Sequence, residues 1–454
     1  MACPVQKNDE ITVRIRDVGN EGQGIGRYEN YTLFVDGALP EEWVRVRVLK
    51  TKKQYGFAKL MEIVKPSAFR VHPPCPYYGQ CGGCSLQHMA YEEQLRIKRQ
   101  QAQSCIQRIG RIFDTHVLPV MGMQGDPYRY RNKGAFPAAN GPNGLQLGLY
   151  APHSHRLIPI EDCIIQQQPV AAVLKGVREW ADEHHVLAYD ETTHTGTLRH
   201  VMVRCAQDGG VQCVLVANAD TLPAQNSLTE RLSAIEGLRS LVLNTNREKT
   251  NVILGKKNRV LSQEKYLTDR IGDLQFRLSP HAFFQVNPQQ TVCLYQKVLE
   301  FLALSKTERV LDLYCGVGTI TSLLSQHCAE AIGVEEVQEA IEDAQFNASL
   351  NGISNVSFIA ADAKDALRVL QKTHTFDAIV LDPPRKGCEA EVLSAVVGLS
   401  PKRIVYVSCN LATFARDAAR LLAEGYALRQ MQPVDMFPQT MNIECCALFI
   451  LKNG

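Results

Sequence analysis

The sequence lacks any long apolar run, and this absence excludes a large class of proteins. No stretch of about eighteen apolar residues occurs along the 454-residue chain, which is close to the shortest length that lets a helix span a membrane. The first residues, MACPVQKNDEITV, lack the apolar segment of a signal peptide. We therefore expect a cytoplasmic protein that does not bind a membrane.

The sequence also lacks a large excess of charge of either sign. Its formal net charge is +2, from 49 Lys and Arg against 47 Asp and Glu. Any nucleic-acid-binding surface must therefore come from local clusters of Lys and Arg. The length predicts about two or three domains, and nothing in the sequence indicates an obligate protein partner.

Cysteine is abundant, with fifteen residues, yet a disulfide framework is not expected in a cytoplasmic chain of this length. The close three-cysteine motif of radical enzymes, C-x-x-x-C-x-x-C, is absent. We expect some cysteines to be buried packing residues, some to be metal ligands and one to be a nucleophile.

Residues 1–66 have the pattern of a small all-β domain. ITVRIRDV (11–18) and WVRVRVLK (43–50) alternate apolar and polar residues, with a glycine-rich segment between them. This pattern favours a five-stranded barrel of the OB type. A basic cluster on one predicted hairpin either follows a phosphate backbone or is a solvated strand face; it comprises Arg45, Arg47, Lys50, Lys52 and Lys53.

Residues 67–270 are expected to form an α+β central domain. A Pro-rich boundary precedes a segment with helical spacing and a glycine stop, residues 90–110. Three later segments, GLQLGLY, TLRHVMVRCA and VQCVLVANA, have the pattern of antiparallel strands. A helix over 93–126 is expected to pack on the C-terminal domain.

Residues 271–454 alternate strands and helices, which is typical of a doubly wound parallel sheet. RVLDLYCGVGTITSLLS (309–325) is an apolar strand that runs into a glycine turn and then a helix. Such a turn lets the backbone approach a nucleotide-like ligand closely. Acidic residues follow at the ends of this strand and the next three, Asp312, Glu335, Asp362 and Asp382.

Two features favour S-adenosylmethionine over a nicotinamide as the ligand of this turn. The turn lacks the full G-x-G-x-x-G fingerprint of dinucleotide-binding proteins. In addition, Asp382 begins a D-P-P loop at the end of the fourth strand, where methyltransferases place a substrate-facing loop. We therefore predict a class I S-adenosylmethionine-dependent methyltransferase domain.

Cys409 is the candidate nucleophile, because it follows an apolar strand and precedes a helix. A position near a helix N-terminus favours the thiolate. A thiolate that adds to carbon 6 of uracil makes carbon 5 electron-rich enough to accept a methyl group, and a base must then remove the carbon 5 proton. Glu444, which precedes the terminal apolar strand, is the candidate base.

Cys75, Cys81 and Cys84 are separated by five and two residues, with Gly82 and Gly83 between the last two. Three thiols so close in sequence predict a metal site, and Cys163 is the candidate fourth ligand. Four thiolates suit an iron–sulfur cluster or a structural zinc ion, and spacing does not separate these alternatives.

These motifs together resemble the RNA uracil-5-methyltransferase family, and in particular its bacterial 23S ribosomal RNA branch. The barrel resembles a TRAM domain. The resemblance extends over almost the whole chain and is carried by CPYYGQCGGCSLQHMAYEEQL, GLYAPHSHRLIPIEDCIIQ, YRYRNKGAFP, GTLRHVMVR, NTNREKTNVILG, SPHAFFQVNPQQT, LDLYCGVGT, VLDPPRKG and SCNLATFARD.

The resemblance implies a role for each matching residue. It implies Cys409 as nucleophile and Glu444 as base. It implies a [4Fe–4S] cluster, in preference to zinc, on Cys75, Cys81, Cys84 and Cys163, and contacts to S-adenosylmethionine from Gln285, Tyr314, Glu335 and Asp382. The family commonly has a histidine where Asn442 stands in FPQTMNIE.

The expected activity is methylation of carbon 5 of a uridine in 23S rRNA. The alternatives are a uracil-5-methyltransferase of the tRNA T-loop and a non-catalytic RNA-binding protein. The target base must leave its helical stack. Candidate RNA contacts are stacking side chains, Phe283, Phe284 and Tyr128, and phosphate-binding side chains, Arg129, Arg131 and Lys133.

Overall fold

The computed structural model describes residues 3–452, so the outermost two residues of the predicted terminal domains lie outside it. The N-terminal residues form a closed five-stranded barrel in the order β1-β2-β3-β5-β4. Buried and exposed residues alternate along β4, as the sequence pattern predicts. The strands are β1 (Glu10–Val18), β2 (Gly24–Tyr28), β3 (Tyr31–Asp36), β4 (Trp43–Thr51) and β5 (Tyr55–Lys65).

The helix expected over 93–126 is shorter than predicted, since α1 spans Tyr91–Arg108. It ends where Gly110 lies against helix α9 (Leu411–Ala423): a Cβ atom at this glycine would be 3.0 Å from the Ala415 carbonyl oxygen. Beyond it, β6 (His116–Val117) joins the edge of the C-terminal sheet. The helix does pack on the C-terminal domain.

The central domain is a seven-stranded sheet in the order β13-β12-β11-β10-β7-β8-β9. One face is covered by α2 (Pro169–Glu183) and α3 (Gln225–Ser233). The strands are β7 (Lys133–Gly141), β8 (Gly144–Tyr150), β9 (Leu157–Pro159), β10 (Leu198–Cys205), β11 (Val211–Ala217), β12 (Leu238–Thr245) and β13 (Lys257–Val260).

A hairpin of β14 (Leu267–Ile271) and β15 (Leu274–Leu278) packs on the helices of the C-terminal domain. The boundary predicted between residues 270 and 271 therefore falls inside β14. The C-terminal domain includes this strand because Ile271 of β14 and Phe276 of β15 share one buried core with Leu294 and Leu324.

The C-terminal domain contains an eight-stranded sheet in the order β18-β17-β16-β19-β20-β22-β21-β6. Strands β16 to β20 are parallel, as predicted, and β22 runs antiparallel between β20 and β21. Its strands and helices are α4 (Pro288–Leu302), β16 (Arg309–Leu313), α5 (Thr319–Ser325), β17 (Glu330–Glu335), α6 (Gln338–Leu350), β18 (Val356–Ala360), α7 (Ala363–Thr373), β19 (Ala378–Leu381), α8 (Ala390–Gly398), β20 (Arg403–Ser408), α9, β21 (Tyr426–Val434) and β22 (Glu444–Leu451).

This topology brings several segments to one edge of the sheet. The carboxyl ends of β16, β17, β19 and β20 meet there because these strands are parallel, and the antiparallel β22 begins at the same edge. In open α/β sheets, ligands bind outside the carboxyl ends of the strands. Among the described residues, no helix combines the length and apolar character needed to cross a membrane.

Candidate active site

The glycine turn after β16 has an unusual backbone conformation. Tyr314 has a φ of 69°, Gly316 of 55° and Gly318 of 78°, all in the left-handed region that favours glycine. A Cβ atom on Gly316 would meet no heavy atom within 4 Å. The turn therefore leaves open space beside its backbone, where a ligand can approach.

Two acidic residues flank this turn. Glu335, at the end of β17, accepts the N–H of Gly316 at 3.2 Å and that of Val337 at 3.1 Å. Asp312 is fully buried, and burial raises its pKa to about 7. Its Oδ2 accepts the Thr321 hydroxyl at 2.5 Å, whereas its Oδ1 has no hydrogen-bond partner within residues 3–452. A buried acceptor without a partner fits the edge of a ligand site.

Gln285 is buried in the segment that leads into α4. The Asn132 side chain donates to the Gln285 carbonyl at 3.1 Å, so the central domain holds this segment. By contrast, Asp362 caps helix α7 by accepting the Lys364 N–H at 2.9 Å. The structure thus gives Asp362 a structural role that needs no ligand.

The pairing of β20 with β22 brings the predicted nucleophile and base together. Ser408 lies directly opposite Cys445 in this antiparallel pair. Cys409 directly follows β20, and Glu444 is the first residue of β22. The two side chains are close enough for the charge of Glu444 to raise the pKa of the Cys409 thiol. Two residues 35 positions apart in sequence therefore meet at one place on the sheet edge.

The charges around Cys409 differ from those that its sequence position indicates. Burial, the neighbouring Glu444 and Asp382 raise the pKa of Cys409. The nearby guanidinium of Arg385 opposes this rise. The N-cap side chain of Asn410, not Cys409, accepts free N–H groups of α9, so the helix N-terminus that the sequence indicates acts on Asn410 directly.

The pKa values of two carboxyl groups in this site, Glu444 and Asp382, are raised. Burial and the nearby Asp382 raise the pKa of Glu444 well above its usual value, and Arg385 opposes this rise. Burial raises the pKa of Asp382 to about 7. The hydroxyl of Tyr295 hydrogen-bonds that of Thr319 at 2.9 Å. Burial raises the pKa of Tyr295, and the nearby charges of Asp382 and Glu444 add to this rise.

A cavity of about 210 Å³ opens beside Cys409. Its walls come from three parts of the chain: the barrel, helix α1 and the loops at the sheet edge. The lining includes Asn20, Gln101, Cys105, Arg385, Asn410, Leu411, Ala412, Met441, Asn442 and Ile443. The candidate catalytic pocket thus forms where the barrel, α1 and the C-terminal domain meet.

Cys75, Cys81, Cys84 and Cys163 line one larger cavity of about 310 Å³. Burial raises the pKa of Cys81 and Cys163, and that of Cys84 to about 12. Gly82 lies so close to the Tyr150 backbone that a Cβ atom would be 3.0 Å from its carbonyl oxygen. Within residues 3–452 no three or more His, Cys, Asp or Glu side chains are placed to hold a metal ion.

The cysteine cavity and the catalytic pocket share one wall, the segment 437–443. Phe437 and Thr440 face the cysteine cavity, Met441 and Ile443 face the catalytic pocket, and Asn442 lines both. This segment leads directly into Glu444.

Gln439, at the centre of this segment, is held by a closed set of hydrogen bonds. Its N–H donates to Gln94 Oε1 at 3.1 Å, and its Oε1 accepts from Gln94 Nε2 at 3.0 Å. Its carbonyl accepts the N–H groups of Ser85 and Leu86, which follow Cys84. These hydrogen bonds at Gln439 therefore connect the segment after Cys84, helix α1 and the segment before Glu444.

The predicted phosphate contacts are partly engaged within the protein. Arg129 pairs with Asp162 at 2.5 and 2.7 Å and donates to the Cys163 carbonyl at 3.2 Å. Burial and two nearby guanidinium groups lower the pKa of Lys133 to about 7. Arg131 donates to the Lys133 carbonyl at 3.0 Å. Arg129 therefore braces the cysteine region and is neutralised by Asp162, whereas the Arg131 guanidinium contacts a neutral carbonyl.

The predicted stacking residues fall into different environments. Phe284 is 5% exposed and belongs to the core, so it is not available to a base. Phe283 is 68% exposed. Tyr128 lies near Cys84 and Cys75, and burial raises its pKa to about 12.

Sequence reasoning missed several residues of the site. Arg385 follows the D-P-P loop directly, and its position in that motif was the available signal. Lys98 forms a fully buried ion pair with Asp435, which also accepts the Tyr91 hydroxyl at 2.8 Å. This pair anchors α1 beside the catalytic strands. No pattern indicates a partner 337 residues away.

Comparison with known proteins gives consistent matches. Residues 224–452 match the family described as tRNA (Uracil-5-)-methyltransferase, and residues 4–61 match the TRAM domain. An RNA methyltransferase of Halalkalibacterium halodurans is 45% identical over 99% of both chains. One from Clostridium tetani is 44% identical over 98% of this chain and 97% of its own.

A solved structure shares the whole architecture. It is the Pyrococcus abyssi tRNA (uracil-54, C5)-methyltransferase in complex with S-adenosyl-L-homocysteine. The two chains are 25% identical, with a TM-score of 0.77 over 97% of this chain and 100% of the other. The C-terminal domain therefore has the class I methyltransferase fold, as the sequence predicts.

Proposed function

The chain belongs to the RNA uracil-5-methyltransferase family, and from this premise we propose that it methylates carbon 5 of a uridine in 23S rRNA. Its relatives are S-adenosylmethionine-dependent RNA methyltransferases, so the alternative of a non-catalytic RNA-binding protein is wrong. The observation that carries the proposed mechanism is the pairing of β20 with β22, which brings Cys409 near Glu444.

The first step is addition of the Cys409 thiolate to carbon 6 of the uracil. The new S–C bond pushes the carbon 5–carbon 6 electron pair toward the carbon 4 oxygen and gives an enolate. The positive charge of Arg385 near Cys409 stabilises the thiolate. The flipped base has access to Cys409 through the cavity beside this residue.

The second part of the reaction needs a methyl donor and a base. S-adenosylmethionine supplies the methyl group when it is bound. Glu444 then takes the proton from carbon 5, the S–C bond to Cys409 breaks, and the carbon 5–carbon 6 double bond forms again. The carboxyl must be ionised for this step, and Arg385 favours the ionised form.

The residues at the sheet edge fit S-adenosylmethionine. Gln285, Tyr314, Glu335 and Asp382 would hold it, as the resemblance implies. The open space at Gly316 and the unpartnered Oδ1 of Asp312 support a ligand at this place. Glu335 lies at the end of the second strand, where a carboxylate binds ribose hydroxyls in related folds.

We further propose that the four cysteines hold a [4Fe–4S] cluster with a structural role. The four thiols line one cavity of about 310 Å³, and the resemblance favours the cluster over a zinc ion. Iron and acid-labile sulfide in protein purified without oxygen would support the cluster. Stoichiometric zinc without iron would contradict it.

A T-loop uridine of tRNA is the second candidate substrate. The similarity to a tRNA (uracil-54, C5)-methyltransferase over 97% of this chain favours it. The resemblance of the cysteine segment to the bacterial 23S branch favours ribosomal RNA. Purified protein should transfer labelled methyl groups to 23S rRNA fragments. Label in tRNA alone would overturn the ribosomal assignment but keep the chemistry.

A further inference from the structure

Asn442 lies in the wall of the catalytic pocket, shortly before Glu444 in the chain. Its neighbours Met441 and Ile443 are buried in two apolar clusters, whereas Asn442 is exposed. Its backbone N–H donates to the Thr440 hydroxyl at 3.1 Å, but its side-chain amide has no hydrogen-bond partner within residues 3–452. The amide N–H groups of this side chain are therefore available to a molecule in the pocket.

The other carboxamide side chains of this pocket are engaged within the protein. Gln101 donates to the Asn20 side chain at 3.3 Å. The Asn410 side-chain oxygen accepts two N–H groups at the start of α9, at 3.0 and 3.3 Å, which fixes this side chain at the helix terminus. Among the carboxamides that line the pocket in the described part of the chain, Asn442 therefore differs in having no protein partner for its side chain.

The backbone that carries Asn442 is held from the buried side. The ammonium group of Lys98 is fully buried, pairs with Asp435 and donates to the Phe437 carbonyl at 3.1 Å. The Thr440 hydroxyl donates to the same carbonyl at 2.9 Å and accepts the Asn442 N–H. A continuous set of hydrogen bonds thus leads from Lys98 to Asn442. A donor whose backbone is fixed in this way needs little reorganisation when charge develops beside it.

The proposed reaction develops negative charge on the carbon 4 oxygen of uracil. When the Cys409 thiolate adds to carbon 6, the carbon 5–carbon 6 electron pair forms a carbon 4–carbon 5 double bond, and the carbonyl pair moves onto this oxygen. Carbon 4 is bonded to carbon 5, whose proton Glu444 removes later in the reaction. A hydrogen-bond donor for this oxygen is therefore expected near Glu444. Fixed donors aimed at such a developing charge are a large source of rate acceleration.

We propose that the side-chain N–H of Asn442 donates a hydrogen bond to the carbon 4 oxygen of the target uracil and stabilises the enolate. The inference rests on the proposed function, since it assumes a uracil bound at Cys409. No proton is transferred by Asn442: carbon 5 attacks the donor methyl group, the carbon 4 oxygen returns to a carbonyl, and the hydrogen bond weakens again. Bound RNA covers this exposed side chain and excludes water from the contact.

The first test changes single atoms on both sides of this contact. Three RNAs carry uridine, 4-thiouridine or 2-thiouridine at the target position. Sulfur accepts hydrogen bonds weakly, so 4-thiouridine weakens the proposed contact, whereas 2-thiouridine leaves it in place. We expect the ratio of kcat/KM for uridine to that for 4-thiouridine to fall about tenfold from the native protein to Asn442→Ala. The corresponding ratio for 2-thiouridine should be the same in both proteins.

The second test separates a donor from a residue that only fills space. Asn442→Ala should slow formation of the covalent RNA adduct about 10²- to 10³-fold, as loss of one such donor does. Asn442→Asp keeps the shape of the side chain but should be slower still, because its carboxylate repels the enolate. Rates are compared at the upper plateau of the pH profile, where Cys409 and Glu444 are both ionised. Asn143→Ala, in the exposed turn between β7 and β8, is the matched control.

Two results would overturn the inference: an unchanged ratio of uridine to 4-thiouridine in Asn442→Ala, or an Asn442→Asp protein that forms the adduct as fast as the native protein. Because the side chain is exposed, both variants should unfold at the temperature of the native protein. If one of them does not fold, the other decides the question. A native protein that neither methylates nor traps any RNA instead contradicts the proposed function.

Discussion

Two groups of cysteines lie on opposite sides of the segment 437–443, and their surroundings differ in kind. Cys84 and its three neighbours face one another in a shared cavity, where burial raises the pKa of Cys84 to about 12. Cys409 lies beside Arg385 and two carboxyl groups, with Cys105 in the lining of the same cavity. Four thiols in one cavity have the composition of a metal site, whereas a thiol beside a cation has the surroundings of a reactive one.

We expect the largest effect on methylation from removing the thiol of Cys409. Cys409→Ala should reduce methylation at least about 10⁴-fold, as loss of other enzyme nucleophiles does, because no S–C bond can form. It should also abolish covalent trapping of RNA that contains 5-fluorouridine. Cys293→Ala, in a part-buried site on α4, serves as control. A Cys409→Ala protein that still methylates RNA would show that Cys409 is not the nucleophile and does not differ in this way from the four cysteines of the other cavity.

Changing the base should separate the two halves of the reaction. Glu444→Gln keeps the size of the side chain but cannot take the carbon 5 proton. We expect turnover to fall about 10²- to 10⁴-fold, while a covalent RNA adduct accumulates and is visible by denaturing gel electrophoresis. Normal turnover, or loss of turnover without an adduct, would show that Glu444 is not the base.

The cation beside Cys409 can be tested by pH dependence. Arg385 lowers the pKa of both Cys409 and Glu444, and both groups react in their deprotonated forms. Arg385→Met should therefore shift the rising limb of kcat/KM to higher pH and slow the reaction about tenfold near neutral pH, one tenfold step for each pKa unit. Lys386→Met, one residue further along, should leave the pH profile in place. An unshifted profile for Arg385→Met would refute this role.

We expect the smallest effect from a change at Gln94, which holds the segment 437–443 that separates the two cavities. Gln94→Leu leaves the buried N–H and amide of Gln439 without partners, at a cost of about 1–3 kcal/mol of stability. Because Gln439 lies in the segment that leads into Glu444, the adduct should also resolve more slowly than it forms. Gln103→Leu on the same helix is the control. If Gln94→Leu lowers stability but leaves the rates of adduct formation and resolution in the same ratio, Gln94 has a structural role only.

Much of the fold follows from local patterns. Alternation predicts β1 and β4 of the barrel, and the apolar strand with its glycine turn predicts β16 and α5. These predictions succeed because each depends on neighbouring residues and on one buried face. The glycine stop of residues 90–110 also indicates where α1 ends, whereas the expected extension of this helix to residue 126 is wrong, because Gly110 packs closely on α9.

The candidate site was predictable in composition but not in arrangement. Residue types and motifs indicated Cys409, Glu444 and the four cysteines. The engagement of Arg129 by Asp162, of Arg47 by Glu10 and of Gln439 by Gln94 was not visible. Such partners come from segments far apart in sequence, and no local periodicity encodes them.

The sequence by itself determined the kinds of chemistry available: a glycine turn for a donor, a thiol for a nucleophile and four further thiols near two glycines. Tertiary structure decided which of these groups meet. The order of strands sets β20 beside β22, and their register then brings Cys409, directly after β20, near Glu444 at the start of β22. Register is a property of paired strands, fixed by packing of both faces, so it exists only once the whole sheet has formed.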